Sequence, residues 1–515
     1  MISRPEEVEA HARRADQHLA RNELPAAAAE LEAVLRGRPD WGAALLNYAS
    51  VLLRLQRDAE AEGALRRLLE LEPQLIVAYR LLANLLHRQG RVAEMLRVCA
   101  SGRARNPDSL ELESFELFLL NFDEAISAES LFERHRAWGV KLESRISPVP
   151  ALPRDHKKRL RIGYVSGDFK YHPVGLFMLP VLERHDRAGF EVYAYATSTQ
   201  PDAYTARLAA AADRWRDAAA LSDEQLAQAV RNDAIDVLVD LAGHSGACRL
   251  GVFARQPAPV QAAWLGYLNT TGLTRIGYRI SDRHADPAGH AERLHTERLV
   301  RLPRSQWCYR PFFEVDCATE PPYARNGHLT FGSFAQAAKL SQGTRRLWAR
   351  ILAAIPAARL QVVGLAAGRA REDLLRDFAA EGIAAERIGL APFLPVEDYY
   401  RSFGEVDIAL DPMPYSGGTT TCDALWMGVP VLTLAGARPA SRSAASILAT
   451  LGMNDWIAAT PDDYLRIAGV WAARRSDLST LRNNLRARVR ASPLMDEAGF
   501  ARDLEEAYRA MWQGR

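Results

Sequence analysis

The first hundred residues repeat themselves, and that repeat leaves few folds open. Pro39, Pro73 and Pro107 recur at intervals of 34 residues. Other positions keep the same step: Ala10, Ala44 and Ala78; Ala15, Ala49 and Ala83; Leu31 and Leu65; Leu35 and Leu69; Leu52 and Leu86. A unit of this length holds two antiparallel helices and a turn but cannot bury its own apolar face, so it must stack on copies of itself. Small residues at fixed places let paired helices approach, Leu fills the space between them, and Pro closes the second helix of each pair.

This is the period of tetratricopeptide repeats. About three repeats are expected over residues 5–107, then an atypical helix pair to residue 144 that caps the stack, making residues 1–144 an α-solenoid. Such a stack offers a concave face to a protein or peptide; it can equally serve as a platform for folding or for a homodimer. Residues 145–158 shift to proline and basic residues (SPVPALPRDHKK) and read as a linker.

Beyond the linker the periodicity changes. Residues 160–165, 190–196, 235–241, 260–265 and 278–280 are short apolar runs that read as strands, with helices such as 203–212 and 223–232 between them. After an irregular stretch the pattern restarts at 329–334, 360–365, 388–392, 408–410 and 431–434. Alternation of this kind predicts parallel sheets covered on both faces, here two doubly wound α/β halves with a cleft between them. The boundaries drawn are 159–312 and 329–492 for the two lobes, 313–328 for a connector and 493–515 for a terminal helix. Ligands of such sheets bind beyond the carboxyl ends of the strands.

Residues 410–434, LDPMPYSGGTTTCDALWMGVPVLTL, form the most informative unit. A strand runs into Pro412, Pro414, Gly417 and Gly418, a helix pattern starts at Asp423, and Gly428 and Pro430 end it before another strand. The first N–H groups of a helix lack intrahelical partners and its dipole is positive there. A phosphate against Gly417, Gly418, Thr419, Thr420 and Thr421 would therefore be held without a metal. The plainer reading is that Thr and Gly are simply good cap and turn residues.

Other strand ends deliver reactive groups. Gly167, Asp168 and His172 follow the first strand, and Asp240 and His244 end another; a histidine there can serve as a base near neutral pH, or simply be solvated. Gln336 and Lys339 follow the first strand of the second lobe. Three residues apart, they would share a face on a helix start and reach a pyrophosphate, Lys339 as a point charge. No D-x-D occurs, so the metal-bridged way of holding a sugar nucleotide is not expected.

The charge balance of +2 gives no electrostatic case for nucleic acid or an anionic membrane. No run approaches the roughly 18 apolar residues of a membrane span, and the opening residues lack the apolar segment of a secretion signal. Five scattered cysteines without C-x-x-C spacing suit reduced thiols, so a cytoplasmic protein is expected.

Together these stretches resemble the O-GlcNAc transferase family with its SPINDLY-type relatives: tetratricopeptide repeats followed by a two-lobed GT-B fold of Rossmann-like domains. The resemblance spans essentially the whole chain and rests on RIGYVSGDFKYHPVG, DLAGHSGACRLGVFARQPAPVQAAWLGY, SFAQAAKL, GGTTTCDALWMGVPVLTL and ASRSAAS. It implies inverting, metal-independent transfer of a sugar from a nucleotide donor, UDP-GlcNAc first, to Ser or Thr of proteins. No other cofactor is implied. Carried over by position, His172 lies beside donor and acceptor as a candidate base, with His244 near the sugar. Gln336 and Lys339 touch the pyrophosphate, Thr419 and Thr420 cap it, and Asp423 binds the ribose. There are departures. Gly418 stands where animal relatives have a histidine, and in Leu394-Pro395-Val396-Glu397-Asp398-Tyr399 the side chain of Val396 cannot donate to a base, though Tyr399 can stack on one. Leu268, Asn269 and Gly277 also differ from the usual pattern. A GDP-fucose donor, or a non-catalytic repeat scaffold on a degenerate transferase, are the alternatives.

Overall fold

A computed structural model describes residues 5–149, 159–246, 248–318 and 320–514; residues 150–158 of the expected linker lie outside them. The chain divides into two compact units between Leu120 and Asn121.

The first unit is all helix: α1 (Pro5–Ala20), α2 (Leu24–Gly37), α3 (Gly42–Arg54), α4 (Asp58–Leu71), α5 (Ile76–Arg88), α6 (Val92–Arg105) and α7 (Leu110–Leu119). α2, α4 and α6 start 34 residues apart in turn, and the repeated prolines lie just past their ends. Ala15, Ala49 and Ala83 are fully buried, as are Leu52, Leu65 and Leu86. The conserved step therefore marks where paired helices touch.

The second unit opens with α8 (Ala128–Arg145), which sequence reasoning made the second capping helix of the solenoid. Its contacts correct that. A Cβ on Gly139 would lie 1.9 Å from the Gly272 carbonyl oxygen, and one on Gly272 would lie 2.1 Å from that of His135. Two bare glycines let the helix lie flush on a loop of the first lobe. Glu143 then accepts from the Thr274 hydroxyl and the Arg275 N–H, at 2.7 and 2.8 Å.

The first lobe contains β1 (Leu160–Ser166), α9 (Pro173–Arg184), β2 (Phe190–Ala196), α10 (Ala203–Ala211), β3 (Arg214–Asp217), α11 (Asp223–Asn232), β4 (Val237–Asp240), α12 (Leu250–Ala254), β5 (Val260–Ala263), β6 (Tyr278–Asp282) and β7 (Arg298–Leu302). Its seven parallel strands run in the order β3-β2-β1-β4-β5-β6-β7. The second lobe follows the short α13 (Pro322–Asn326). It comprises β8 (Thr330–Ser333), α14 (Gln342–Ala354), β9 (Arg359–Val363), α15 (Arg369–Ala380), β10 (Ile388–Ala391), α16 (Val396–Ser402), β11 (Ile408–Leu410), α17 (Thr419–Trp426), β12 (Val431–Leu434), α18 (Ser443–Thr450), β13 (Ile457–Ala458), α19 (Pro461–Ala473) and α20 (Arg475–Arg490). Its six parallel strands run β10-β9-β8-β11-β12-β13. Sequence reasoning missed β3, β7 and β13, all edge strands. Arg214-Trp215-Arg216-Asp217 shows no apolar run because an edge is mostly solvated.

The terminal helix α21 (Glu497–Trp512) packs on the first lobe. The Glu505 carboxylate accepts the Asp186 N–H at 2.7 Å and lies 2.9 Å from His185 Nδ1, while the Tyr508 and Tyr164 hydroxyls meet at 3.0 Å. Among the described residues no helix is long and apolar enough to cross a membrane.

Candidate functional site

Each sheet has one place where neighbouring strands wind away in opposite senses, between β1 and β4 in the first lobe and between β8 and β11 in the second. The loops beyond those carboxyl ends part there and leave a crevice. His172 follows β1 and His244 follows β4; Lys339 follows β8 and the glycine turn follows β11. Topology thus brings the sequence-derived candidates to the two switch points.

Lys339 ends a short 3-10 turn, Ala337–Lys339, and does not sit on a helix start; α14 begins only at Gln342. Gln336 precedes that turn and is exposed, so the shared helical face expected for the pair is not formed. Lys339 Nζ donates to the Ser416 carbonyl at 3.0 Å and lies 4.4 Å from the centroid of the Tyr415 ring. Burial holds its pKa below that of a solvated ammonium, against the pull of the Asp411 carboxylate.

The turn itself is held from below. Asp411, the first residue after β11, takes the Gly417 N–H on one oxygen at 2.6 Å and the Thr433 hydroxyl on the other at 2.7 Å. A Cβ on Gly417 would stand 2.7 Å from the hydroxyl oxygens of Thr420 and Thr421, so only glycine closes the turn this tightly. The helix starts at Thr419, four residues before the Asp423 start read from periodicity, which puts all three threonines in its first turn. They do not act alike. The Thr421 hydroxyl donates to the Gly417 carbonyl at 3.1 Å and is buried. Thr419 and Thr420 are half-buried. Among the described residues, their hydroxyls and the N–H groups of Gly418, Thr419 and Thr420 have no hydrogen-bond partner. Of the five residues expected to cradle a phosphate, Gly418, Thr419 and Thr420 leave their donors uncommitted among the described residues, while Gly417 and Thr421 build the frame of the turn.

Asp423, one turn further along α17, is buried and accepts three phenols: Tyr309 at 2.7 Å, Tyr400 at 2.9 Å and Tyr399 at 3.1 Å. Burial pushes its carboxyl up to about 6, opposed by those three donors. Tyr399 stands edge-on to Phe334, with centroids 5.9 Å apart and planes at 89°. Its hydroxyl is committed to Asp423.

In the first lobe His172 caps α9, and its Nδ1 accepts the Val174 N–H at 3.3 Å. The ring proton is then on Nε2. Asp168 lies 3.7 Å from Nδ1. Burial lowers the imidazole pKa while Asp168 raises it, so the ring is neutral and able to accept a proton. Next to it Tyr171, 48% exposed, feels the Asp423 charge of the other lobe as a rise in its own pKa, after the larger effect of burial. Phe312 links the two segments: its ring lies 4.2 Å from that of Tyr171, and its N–H donates to the Tyr400 hydroxyl that in turn donates to Asp423 of α17. His244 is different. It is 1% exposed, donates from Nε2 to the Thr271 carbonyl at 2.9 Å, and is boxed in by the rings of Trp138, His135 and Tyr267 at 4.5, 5.0 and 5.3 Å. Sequence reasoning made it catalytic; here it is buried under the β4 loop with its Nε2 committed to Thr271.

Sequence reasoning missed Asp411, Tyr309 and Tyr400. Asp411 had a signal, an acid at a strand's carboxyl end beside a glycine turn. Tyr309 had none, since it comes from an irregular stretch more than a hundred residues from its partner. Among the described residues no cluster of three or more His, Cys, Asp or Glu is placed to hold a metal ion.

Two parallel-sheet lobes with their switch points facing, and a helix start with free amides beside a lysine, define a GT-B-like glycosyltransferase fold. The chain belongs to glycosyl transferase family 41, whose family model matches residues 149–309 and 323–504. A protein of Solanum lycopersicum named "Probable UDP-N-acetylglucosamine–peptide N-acetylglucosaminyltransferase SPINDLY" is 37% identical over 423 residues, covering 79% of this chain and 45% of that protein. An Arabidopsis thaliana protein carrying the same activity name with the suffix SEC is 31% identical over 367 residues, covering 69% of this chain and 37% of its own length. The chain thus spans less than half the length of these relatives. A solved structure of an O-GlcNAc transferase mutant from Thermobaculum terrenum matches with a TM-score of 0.90 at 35% identity, covering 100% of this chain and 99% of that one.

Proposed function

We propose that this chain moves a sugar, GlcNAc from UDP-GlcNAc, to Ser or Thr hydroxyls of proteins, with inversion and without a metal ion. One observation carries the reading: the Lys339 ammonium is pinned to Ser416, beside a turn whose Gly418, Thr419 and Thr420 amides are unpaired among the described residues. A diphosphate set there meets fixed N–H dipoles and one positive charge, arranged before it arrives. The relatives named for peptide N-acetylglucosaminyl transfer support the donor and the acceptor class.

In the reaction the acceptor oxygen attacks the anomeric carbon from the side opposite the nucleotide. The bond from that carbon to the diphosphate breaks, and its electron pair leaves with the nucleoside diphosphate. The hydroxyl proton goes to a base. His172 in the tautomer present here would take it at Nδ1, displacing the long contact from Val174 and gaining Asp168 as partner for the new charge. The repeats recruit the acceptor protein, in a cytoplasmic setting.

The test is a thermal-shift titration with UDP and GDP, followed by intact-mass analysis of a lysate incubated with UDP-GlcNAc. A ligand that binds only the native state at about a hundred times its Kd stabilises by roughly 2.7 kcal/mol. UDP should raise the melting temperature and the label should add one N-acetylhexosamine per site. A response to GDP alone would move the donor to GDP-fucose, and a response to neither would favour a non-catalytic scaffold.

A further inference from the structure

Four consecutive residues outside both sheets hold the two lobes together around Lys339. The Asn121 amide donates to the Tyr267 hydroxyl at 2.9 Å, and its carbonyl accepts from the Asn269 amide at 3.0 Å, both in the first lobe. Phe122 stacks on Tyr415 with centroids 4.8 Å apart and planes at 10°. The Asp123 carbonyl accepts from Arg438 at 2.9 Å, and the Glu124 carboxylate accepts the Gly343 N–H in the first turn of α14 at 3.0 Å. The last three anchor points all lie in the second lobe. Tyr415 is also the ring over which the Lys339 ammonium sits.

A cation on an aromatic face is only as well placed as the ring beneath it. Tyr415 lies in the Pro414–Gly418 turn and is only partly buried, whereas Phe122 is buried at 3% exposure. The fully buried ring backs the one that carries the ammonium. We propose that Phe122 is a positioning residue for sugar transfer, acting through the Tyr415 ring to hold the Lys339 ammonium against the glycine turn, with Asn121 tying the same segment to the opposite lobe. This rests on the role given to Lys339 above. It also accounts for Asn269, one of the departures from the family pattern, which here serves as the anchor for Asn121.

The test compares Phe122→Leu with Phe122→Tyr in the full chain. A misplacement on the order of an ångström at a reacting group costs up to about a hundredfold in rate. Phe122→Leu should therefore lower kcat for UDP-GlcNAc transfer by about 10- to 100-fold with a smaller change in KM, and Phe122→Tyr, which keeps the stack, should restore it. A second readout needs no turnover: trace acetylation of Lys339 against pH, quantified by peptide mass spectrometry, should show its midpoint moving in Phe122→Leu and returning in Phe122→Tyr. If Phe122→Leu does not fold, Tyr415→Leu against Tyr415→Phe makes the same comparison. The proposal is overturned if the leucine and tyrosine variants behave alike, or if the Lys339 midpoint is the same in all of them. A wild-type chain without turnover, in which the midpoint still moves, would sink the transferase reading and leave the positioning contact standing.

Discussion

At the scale of single residues, Lys339 and the threonines separate by what their polar atoms already do. Lys339 donates to one carbonyl, lies over one ring and feels the Asp411 carboxylate, so an arriving diphosphate still adds acceptors to the ammonium. Lys339→Met should lower kcat/KM by about 10²–10³, the usual loss for one transition-state charge contact, with far-UV circular dichroism unchanged. Since burial holds the free ammonium below the usual lysine pKa, kcat/KM should decline as pH rises and reach its alkaline limb well before the ~10.4 of a solvated lysine. Thr420→Val removes an unpaired hydroxyl and should weaken UDP binding by about 3- to 10-fold, a net hydrogen bond's worth, at little cost in stability. Thr421→Val instead breaks the bond to Gly417, so its main effect should be a melting temperature lower by a few degrees. The three threonines are alike in sequence. What sets Thr421 apart is its bond to the Gly417 carbonyl, a contact no spacing rule supplies.

At the scale of elements, α8 shows what periodicity can and cannot tell. The helices α1 to α7 were legible because each buries itself against its sequence neighbours, so the pattern of contact is written locally. α8 docks on a loop more than 120 residues away, and only the Gly139 and Gly272 pair marks the place. Its His135 donates from Nδ1 to the Leu131 carbonyl at 2.7 Å and accepts the Tyr267 hydroxyl on Nε2 at 2.6 Å, which requires the neutral ring. Burial brings its pKa down to about 4. Between that value and the ~6.5 of an unfolded histidine, the unfolded chain binds the extra proton, so stability is full above pH 6.5 and falls as pH drops. The loss should reach about 3 kcal/mol by pH 4, read from urea unfolding, and His135→Gln should flatten that slope. An unchanged pH dependence in the variant would remove His135 as its cause.

For the molecule as a whole, α21 returns from the end of the chain to the first lobe and fastens the second lobe's terminus to it. Glu505→Ala leaves the Asp186 N–H and the His185 ring without their acceptor in a buried place. It should cost about 2 kcal/mol of unfolding free energy, measured by urea denaturation of the full chain. A loss under about 0.5 kcal/mol, the size of an ordinary surface change, would show that the Glu505 contacts do not hold the helix in place. The amino-acid sequence by itself determined the helical repeats, the two alternating α/β halves and the family, because these follow from residue period and from motifs that are continuous along the chain. It also put Lys339, His172 and the glycine turn at strand ends, since a strand carries its own direction. Only the tertiary structure decided that Asp411 holds the turn, that Asp423 collects three tyrosines, that His244 is packed away, and that Asn121 to Glu124 span both lobes. Each of those depends on a short approach between segments far apart in sequence, and such distances are fixed by how the sheets twist and the lobes close, quantities that no single segment encodes.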